Sequence, residues 1–409
     1  MTEPSIFTRI VDFANRADPY PLFQQLREQP VRREEDGTFV VSTYREIEAL
    51  LHDPRISSDG SNLLPEYAAK APPTDTPGSP GASFIRMDPP DHDRIRRIVN
   101  RQFGPPHRPT RVADMYPDLE HIVTRLVDGF AGKHQGDIVD DLAYPFPVAV
   151  ICELLGVPPE DEPRFSAWVE PIVDSIAQLT PDRLAKRDAA LRELGMYLFG
   201  LAQQRRQNPG PDMLSGFVTD DGPEGRLEGP QLMATLVLLL IAGHETTVNL
   251  IANGTLTLLR HPQWLERLRQ EPELSIRVVE EVLRYEPSVH FLPNRTCVAD
   301  IGMAGMTITK GAPITLVLAA GNRDPEYVRD ADVFDPEREN NQHLAFGSGV
   351  HYCFGAPLAR LEAQIALTQI AQRLANLRLV EDPPPYRPSP VLRGPIHLPV
   401  TFDEVKPAG

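Results

Sequence analysis

The chain has 409 residues, 41% of them hydrophobic, and a formal charge of −16. That charge argues against nucleic acid as a partner, since phosphate binding needs clustered cations. Three cysteines (Cys152, Cys297, Cys353) rule out a disulfide framework, and 43 prolines spread along the chain mark loops and helix ends rather than one disordered tail. The N-terminal MTEPSIFTRIVDFANRADPYP lacks a signal-peptide core. The longest apolar run, Leu232 to Ala242, falls short of the ~20 residues a spanning helix needs. A soluble, cytoplasmic protein without a membrane anchor is expected.

In chain order, Asp18-Pro19-Tyr20-Pro21 opens a short helix, residues 38–42 (TFVVS) read as a strand, and 44–52 as a helix ended by Asp53-Pro54. Residues 57–83, rich in Pro, Gly, Ser and Ala, read as a long loop. Long loops in compact domains are often lids. The stretch MDPPDHDRIRRIVNRQF, residues 87–103, predicts a helix that Asp91 can cap. His92 and Arg96 are four apart and share one face of it, while Arg94, Arg97 and Arg101 form a basic cluster on an acidic protein. Residues 114–208 carry amphipathic helical pattern, broken at Gly156-Val157-Pro158-Pro159, and Cys152 in VAVICELLGV reads as a packed core residue.

From Glu228 to Pro262 runs one long predicted helix, with Pro230 at its start and His261-Pro262 at its end. Its first three turns are apolar almost all round, so it is buried. Its middle reads Ala242-Gly243-His244-Glu245-Thr246-Thr247. A carboxylate and two hydroxyls on a buried helix are costly without partners. The next helix, Leu274 to Tyr285, places Glu281 and Arg284 on one face, and Pro287 stops it. Downstream comes Phe334-Asp335-Pro336-Glu337-Arg338.

The most informative stretch is HLAFGSGVHYCFGAPLA, residues 343–359. It holds Cys353 in a loop kept open by Gly347, Gly349 and Gly355, whose backbone can take turn angles closed to other residues. A helix follows, with Pro357 in its first turn. Free N–H groups and the positive end of the helix dipole therefore favour the thiolate. From Leu377 on, the chain reads as β hairpins, with Val391 to Pro395 as a turn.

The spacing Phe346-x-x-Gly349-x-x-x-Cys353-x-Gly355 resembles the haem-binding loop of the cytochrome P450 family. The Glu245-Thr246 helix, Glu281-x-x-Arg284 and the Arg338 loop precede it in the family's order. The resemblance covers essentially the whole chain. It implies a mostly α fold with small β-sheets (α+β), one haem domain over 1–409, and haem b held between the long helix and the cysteine loop with its following helix. It implies Cys353 as the iron ligand, whose electron donation favours O–O cleavage. It implies His92, Arg96, Arg295 and His351 as partners of the haem propionates, and Glu245 and Thr246 as the residues that bring protons to bound dioxygen. Glu281, Arg284 and Arg338 would form a buried network bracing the cysteine loop. Phe84, Ile85, Leu238, Ile241, Ala242, Phe291, Val391 and Leu392 would line an apolar substrate pocket, capped by the 57–83 loop.

The implied activity is insertion of one oxygen atom from O2 into a C–H bond of a mostly apolar small molecule, with dealkylation or epoxidation as variants. No flavin domain is expected, so electrons would come from a ferredoxin (or flavodoxin) and its reductase, docking on the Arg94, Arg97 and Arg101 face; a monomer is expected. A peroxide-driven haem enzyme and a non-catalytic haem-thiolate gas or redox sensor are the rival readings; the Glu245-Thr246 pair argues against the first, and nothing in the sequence resembles the DNA-binding or signalling domain expected of the second.

Overall fold

The structure is a computed structural model and describes residues 3–68, 83–104, 108–177 and 180–408. Seven helices build the site: α1 (Asp91–Phe103), α2 (Pro145–Leu155), α3 (Glu162–Ala177), α4 (Pro181–Gln207), α5 (Gly229–Arg260), α6 (Ser275–Tyr285) and α7 (Ala356–Arg373). Prolines at the first or second position start α2, α4, α5 and α7, where a missing N–H costs nothing. Gly156, in the left-handed conformation (φ 68°), ends α2 where the Gly-Val-Pro-Pro break was expected. Asp91 does not cap α1: Pro90 holds that position, and Asp91 and Asp93 lie in the first turn, where the dipole favours acids.

Helix α5 is the central element, 32 residues long. It packs on α2, α6 and α7, and the last two also pack on each other. Its apolar surface is buried on nearly every side except at Ala242 and Gly243, which open onto a cavity. It is the one described helix long and apolar enough to cross a bilayer, and 72% of its most apolar window is buried inside the protein. Core burial, rather than a spanning role, accounts for its composition.

The main sheet holds β1 (Val31–Arg33), β2 (Phe39–Val41), β3 (Ile56–Ser57), β4 (Leu292–Cys297) and β5 (Ile314–Leu316), in the order β1-β2-β5-β4-β3. Only β2 and β5 run parallel among these pairs. Strand β4 pairs Leu292 with Leu316 and Arg295 with Ile314, so one extra residue bulges between them, next to Asn294 at φ 62°. Residues three apart on a regular strand face opposite ways; the bulge turns both Leu292 and Arg295 to the cavity.

Strands of two or three residues were not read from the sequence elsewhere, apart from the β hairpins expected from Leu377 on. Gln135–Asp137 and Arg378–Leu379 flank Pro399–Thr401 in a second sheet, and the C-terminal turn is held by single bridges, Tyr386 to Pro395 and Val289 to Leu392. The loop expected over 57–83 begins with β3, a 3-10 turn (Gly60–Asn62) and a short helix (Pro65–Ala68). Residues 69–82, which make up most of the expected lid, lie outside the described residues.

Candidate functional site: a cysteine-floored cavity beneath the long helix

A cavity of about 270 Å³ lies between α5 and the loop before α7. Cys353, Phe346, Gly355 and Leu358 line one side, and Ala242, Gly243, Thr246 and Leu250 the other. The cysteine loop folds back through Cys353 N–H, which donates to the Phe346 carbonyl at 3.0 Å. Gly349 makes this possible: its φ is 67°, and a Cβ there would sit 2.1 Å from the Leu51 carbonyl oxygen. Gly355 has another role. Its φ is −79°, and a Cβ would stand 3.8 Å from the Cys353 sulfur, an ordinary contact.

The thiol does not behave as the helix end alone suggests. Burial pushes its pKa up, and this outweighs the N–H groups of Gly355 and Ala356 and the charge of Arg96, which pull it down. A sulfur so placed becomes a thiolate when a metal cation sits against it. Neither of the other cysteines shares this setting: Cys152 is buried in the core with its thiol pushed up to about 12 by burial, and Cys297 is buried beneath the sheet.

Cationic side chains crowd one rim. His351 and Arg295 line the cavity. His92 stands behind His351, with ring centroids 4.3 Å apart. His351 is held down to about 3 by burial, then by His92, Arg295 and Arg96. Burial lowers Arg295 to about 10, with Asp88 opposing. His92 Nε2 and His351 Nδ1 are buried without a hydrogen-bond partner among the described residues. Their other nitrogens meet Asp93 at 2.8 Å and Ser58 at 2.9 Å. Arg295 has no carboxylate in ion-pair range among the described residues. An unpartnered buried ring nitrogen on each histidine and an arginine without a carboxylate, on one side of a cysteine-floored cavity, fit a group carrying carboxylates, as haem does. Arg96 differs from expectation: its guanidinium donates to the carbonyls of Val350 and Tyr352, at 3.3 and 2.5 Å, so it grips the cysteine loop.

On α5, Thr246 faces the cavity, and its hydroxyl donates to the Ala242 carbonyl at 2.8 Å. Glu245 points away. It is 3% exposed at the side chain and pairs with Arg387 at 2.9 Å, a partner from the C-terminal turn that its own neighbourhood in sequence does not reveal. Glu362 on α7 is a functional candidate that sequence reasoning missed. It lines the cavity, its Oε2 has no hydrogen-bond partner among the described residues, and burial alone raises its carboxyl well above the usual range. Its place nine residues after Cys353, on the face of α7 turned to the loop, was the available signal.

The expected buried network is present in geometry. Glu281 and Arg284, both fully buried, meet at 2.6 Å, and Arg338 Nε lies 3.5 Å from Glu281. Glu281 also accepts from the Asp335 N–H at 2.9 Å and Asn341 at 3.1 Å. Arg284 and Arg338 donate to carbonyls of Ala331, Val333 and Asp330. One carboxylate thus fixes the segment leading to the cysteine loop.

Of the eight expected pocket residues, Ala242 lines the cavity. On β4 and the segment before it the lining falls to Val289 and Leu292; Phe291 is 2% exposed and packs on Phe7 and Phe23 in the N-terminal cluster. Phe84 is buried against His92 and Phe354, while Ile85 is 42% exposed. Leu238 and Ile241 pack into the core beside the lining residue Leu239. Val391 and Leu392 are half-buried in the C-terminal turn behind Val289.

Two of the three arginines of the basic cluster on α1 have acidic partners. Arg97 pairs with Glu224 at 3.0 Å, Arg101 with both Asp220 and Glu224, and Arg94 donates to Gln231 at 2.6 Å. The acids come from the loop before α5 and lower the charge this face offers.

The cytochrome P450 family model matches residues 154–400. The chain is 39% identical over 408 residues to the cytochrome P450 monooxygenase PikC of Streptomyces venezuelae, covering 97% of this chain and 94% of that one. It is 37% identical to the vitamin D(3) 25-hydroxylase of Pseudonocardia autotrophica, covering 94% of each. The solved myxobacterial CYP267B1, in complex with myristic acid, superposes with a TM-score of 0.88 at 33% identity, over 97% of this chain and 99% of that one. Floored by a glycine-turned cysteine, rimmed by His351 and Arg295 and roofed by the helix that carries Thr246, the cavity agrees with these matches: the chain belongs to the cytochrome P450 family and is a haem-thiolate monooxygenase acting on small organic molecules.

Proposed function

We propose that the Cys353 sulfur would hold the iron of haem b and that His92, His351 and Arg295 would receive its propionates, with Arg96 bracing the loop that carries the sulfur. The observation that carries this reading is the pair of unpartnered buried histidine nitrogens, with Arg295, beside the one cysteine that faces the cavity. When bound, the haem activates O2 for insertion of one oxygen atom into a C–H bond. Thr246 holds a hydroxyl at the cavity wall, where it would order water and hold a proton close to the haem. Glu245, on the next position of α5, is the acid that passes protons inward. Ala242 and Gly243 keep the wall low, leaving room for oxygen and substrate.

The substrate is apolar. Leu51, Ile151, Leu154, Leu239, Val289 and Leu292 supply apolar wall, and a relative named for vitamin D3 and a solved neighbour holding myristic acid support the same class. Family members of this kind take electrons from outside redox partners; here a ferredoxin and its reductase are proposed, serving a single haem domain without flavin, in the cytoplasm. Val350 and Tyr352, 53% and 40% exposed, flank Cys353 at the surface and give the shortest way in for an electron.

The test is turnover of apolar probes that shift the haem from low to high spin, with ferredoxin, reductase and NADPH against hydrogen peroxide alone. Product that requires the ferredoxin and O2 is expected. Equal product from peroxide without the partner would overturn the donor assignment.

A further inference from the structure

Two segments meet at the Glu245 carboxylate, and a third joins them. The first is α5 itself, which carries Glu245 and, one turn on, Asn249, whose amide lies 3.5 Å from it. The second is the C-terminal turn. Its two arms are joined by the Tyr386–Pro395 bridge and by Arg387 N–H donating to the Gly394 carbonyl at 3.0 Å. Arg387 reaches from the first arm to Glu245, at 2.9 Å. The third is residues 288–290, laid between helix and turn. Ser288 Oγ donates to the Thr246 carbonyl at 2.8 Å, while the Ser288 carbonyl accepts from Arg393 N–H at 2.9 Å and His290 N–H donates to the Val391 carbonyl at 2.8 Å. Val289 and Ser288 line the cavity.

The turn is itself anchored. Arg393 is buried and pairs with Glu286, and Asn253 of α5 donates to the Arg393 carbonyl at 3.0 Å. Gly394 packs so close to Asn249 that a Cβ there would meet its Oδ1 at 2.2 Å. The guanidinium of Arg387 is therefore delivered to Glu245 by a fixed platform.

We infer that Arg387 is the positioning residue for Glu245: it keeps the carboxylate ionised and turned away from the cavity, and so ties the proton-carrying acid to the turn that backs the cavity wall. A carboxylate this buried holds its charge only against a partner charge. Arg387 brings such a charge to within 2.9 Å. The other titratable neighbour, His244 on the same helix, is turned against the Tyr144 ring and is held down to about 4 by burial and then by Arg387 itself, so it supplies no charge at neutral pH.

The inference rests on the assignment of Glu245 as the proton carrier, and its test reads the carboxyl group directly, without turnover. In infrared difference spectra of the haem-loaded protein, wild type minus Glu245→Gln should show no protonated-carboxyl carbonyl band from pH 6 to 8. Arg387→Gln minus the Arg387→Gln/Glu245→Gln double variant should show that band, because the carboxyl has lost its counter-charge. Arg387→Lys, which keeps the charge, should remove the band again. A protonated-carboxyl band already present in wild type at pH 6, a measurement independent of whether Arg387→Gln folds, would overturn the inference. So would an Arg387→Gln protein whose Glu245 stays ionised throughout. Either result would leave the role of Glu245 in turnover to be judged by product formed per electron.

Discussion

Replacing Glu281 by glutamine removes one charge from the point where the segment before the cysteine loop is held. The carboxylate is fully buried and accepts two hydrogen bonds from Arg284, at 2.6 and 2.8 Å, one from Asp335 N–H and one from Asn341, with Arg338 3.5 Å away. Glutamine keeps the shape but turns an NH2 toward donors and leaves two arginines without their anion. Breaking one side of a buried pair costs about 3–5 kcal/mol, a shift of roughly two to four powers of ten in the unfolding equilibrium. That is a large share of a typical stability of about 5–15 kcal/mol. The assay is urea unfolding of the haem-loaded protein, followed both by fluorescence and by the haem band. Because Arg284 and Arg338 hold the carbonyls of residues 329–333, the haem band should be lost at lower urea than the fluorescence signal. Replacing the pair together, as Glu281→Leu with Arg284→Met, should recover part of the loss, since no uncompensated Arg284 remains. A loss below about 1 kcal/mol for Glu281→Gln would refute the reasoning.

Thr246→Ala should retain haem and substrate binding while more of the electrons consumed end as hydrogen peroxide; unchanged product per NADPH would remove the hydroxyl from proton handling. Arg295→Gln should speed transfer of haem to apomyoglobin by about 10- to 100-fold, the worth of a hydrogen bond to a charged group at about 1.5–3 kcal/mol; an unchanged rate would mean that Arg295 meets no propionate. Glu362 carries a folded-state pKa raised above its unfolded value of about 4.3, by burial alone. Its contribution to stability is therefore complete below that unfolded value and is lost as pH rises toward the folded one. Glu362→Gln, measured by urea unfolding, should accordingly gain on wild type between pH 5 and pH 8, and a difference independent of pH would contradict the burial argument.

What could be read in the sequence was what local chemistry decides. Pro230, Pro262 and Pro357 mark helix ends to within a residue or two, because a missing N–H is tolerated only there. The cysteine loop was legible because its glycine spacing answers to a sharp turn, realised at Gly349. Partners distant in the chain were not legible. Nothing around Glu245 points to Arg387, and nothing in the basic run of α1 announces that Asp220 and Glu224 will pair with Arg101. The family resemblance implied Phe291 for the pocket; the bulge at Asn294 and the N-terminal aromatic cluster gave the wall to Val289 and Leu292 instead. The thiol of Cys353 shows the same limit: the helix end is visible in sequence, but the burial that outweighs it is a property of the packed chain.

The central claim is that Cys353 is the sulfur ligand of the haem in this cavity. It is tested most directly by the absorption spectrum of the dithionite-reduced protein under carbon monoxide, wild type against Cys353→Ser. The wild type should show the strongly red-shifted Soret band of a thiolate-ligated haem, and the variant should lose that band while Arg295, His351 and His92 still retain some haem. A variant that keeps the red-shifted band would place the ligand elsewhere and contradict the account.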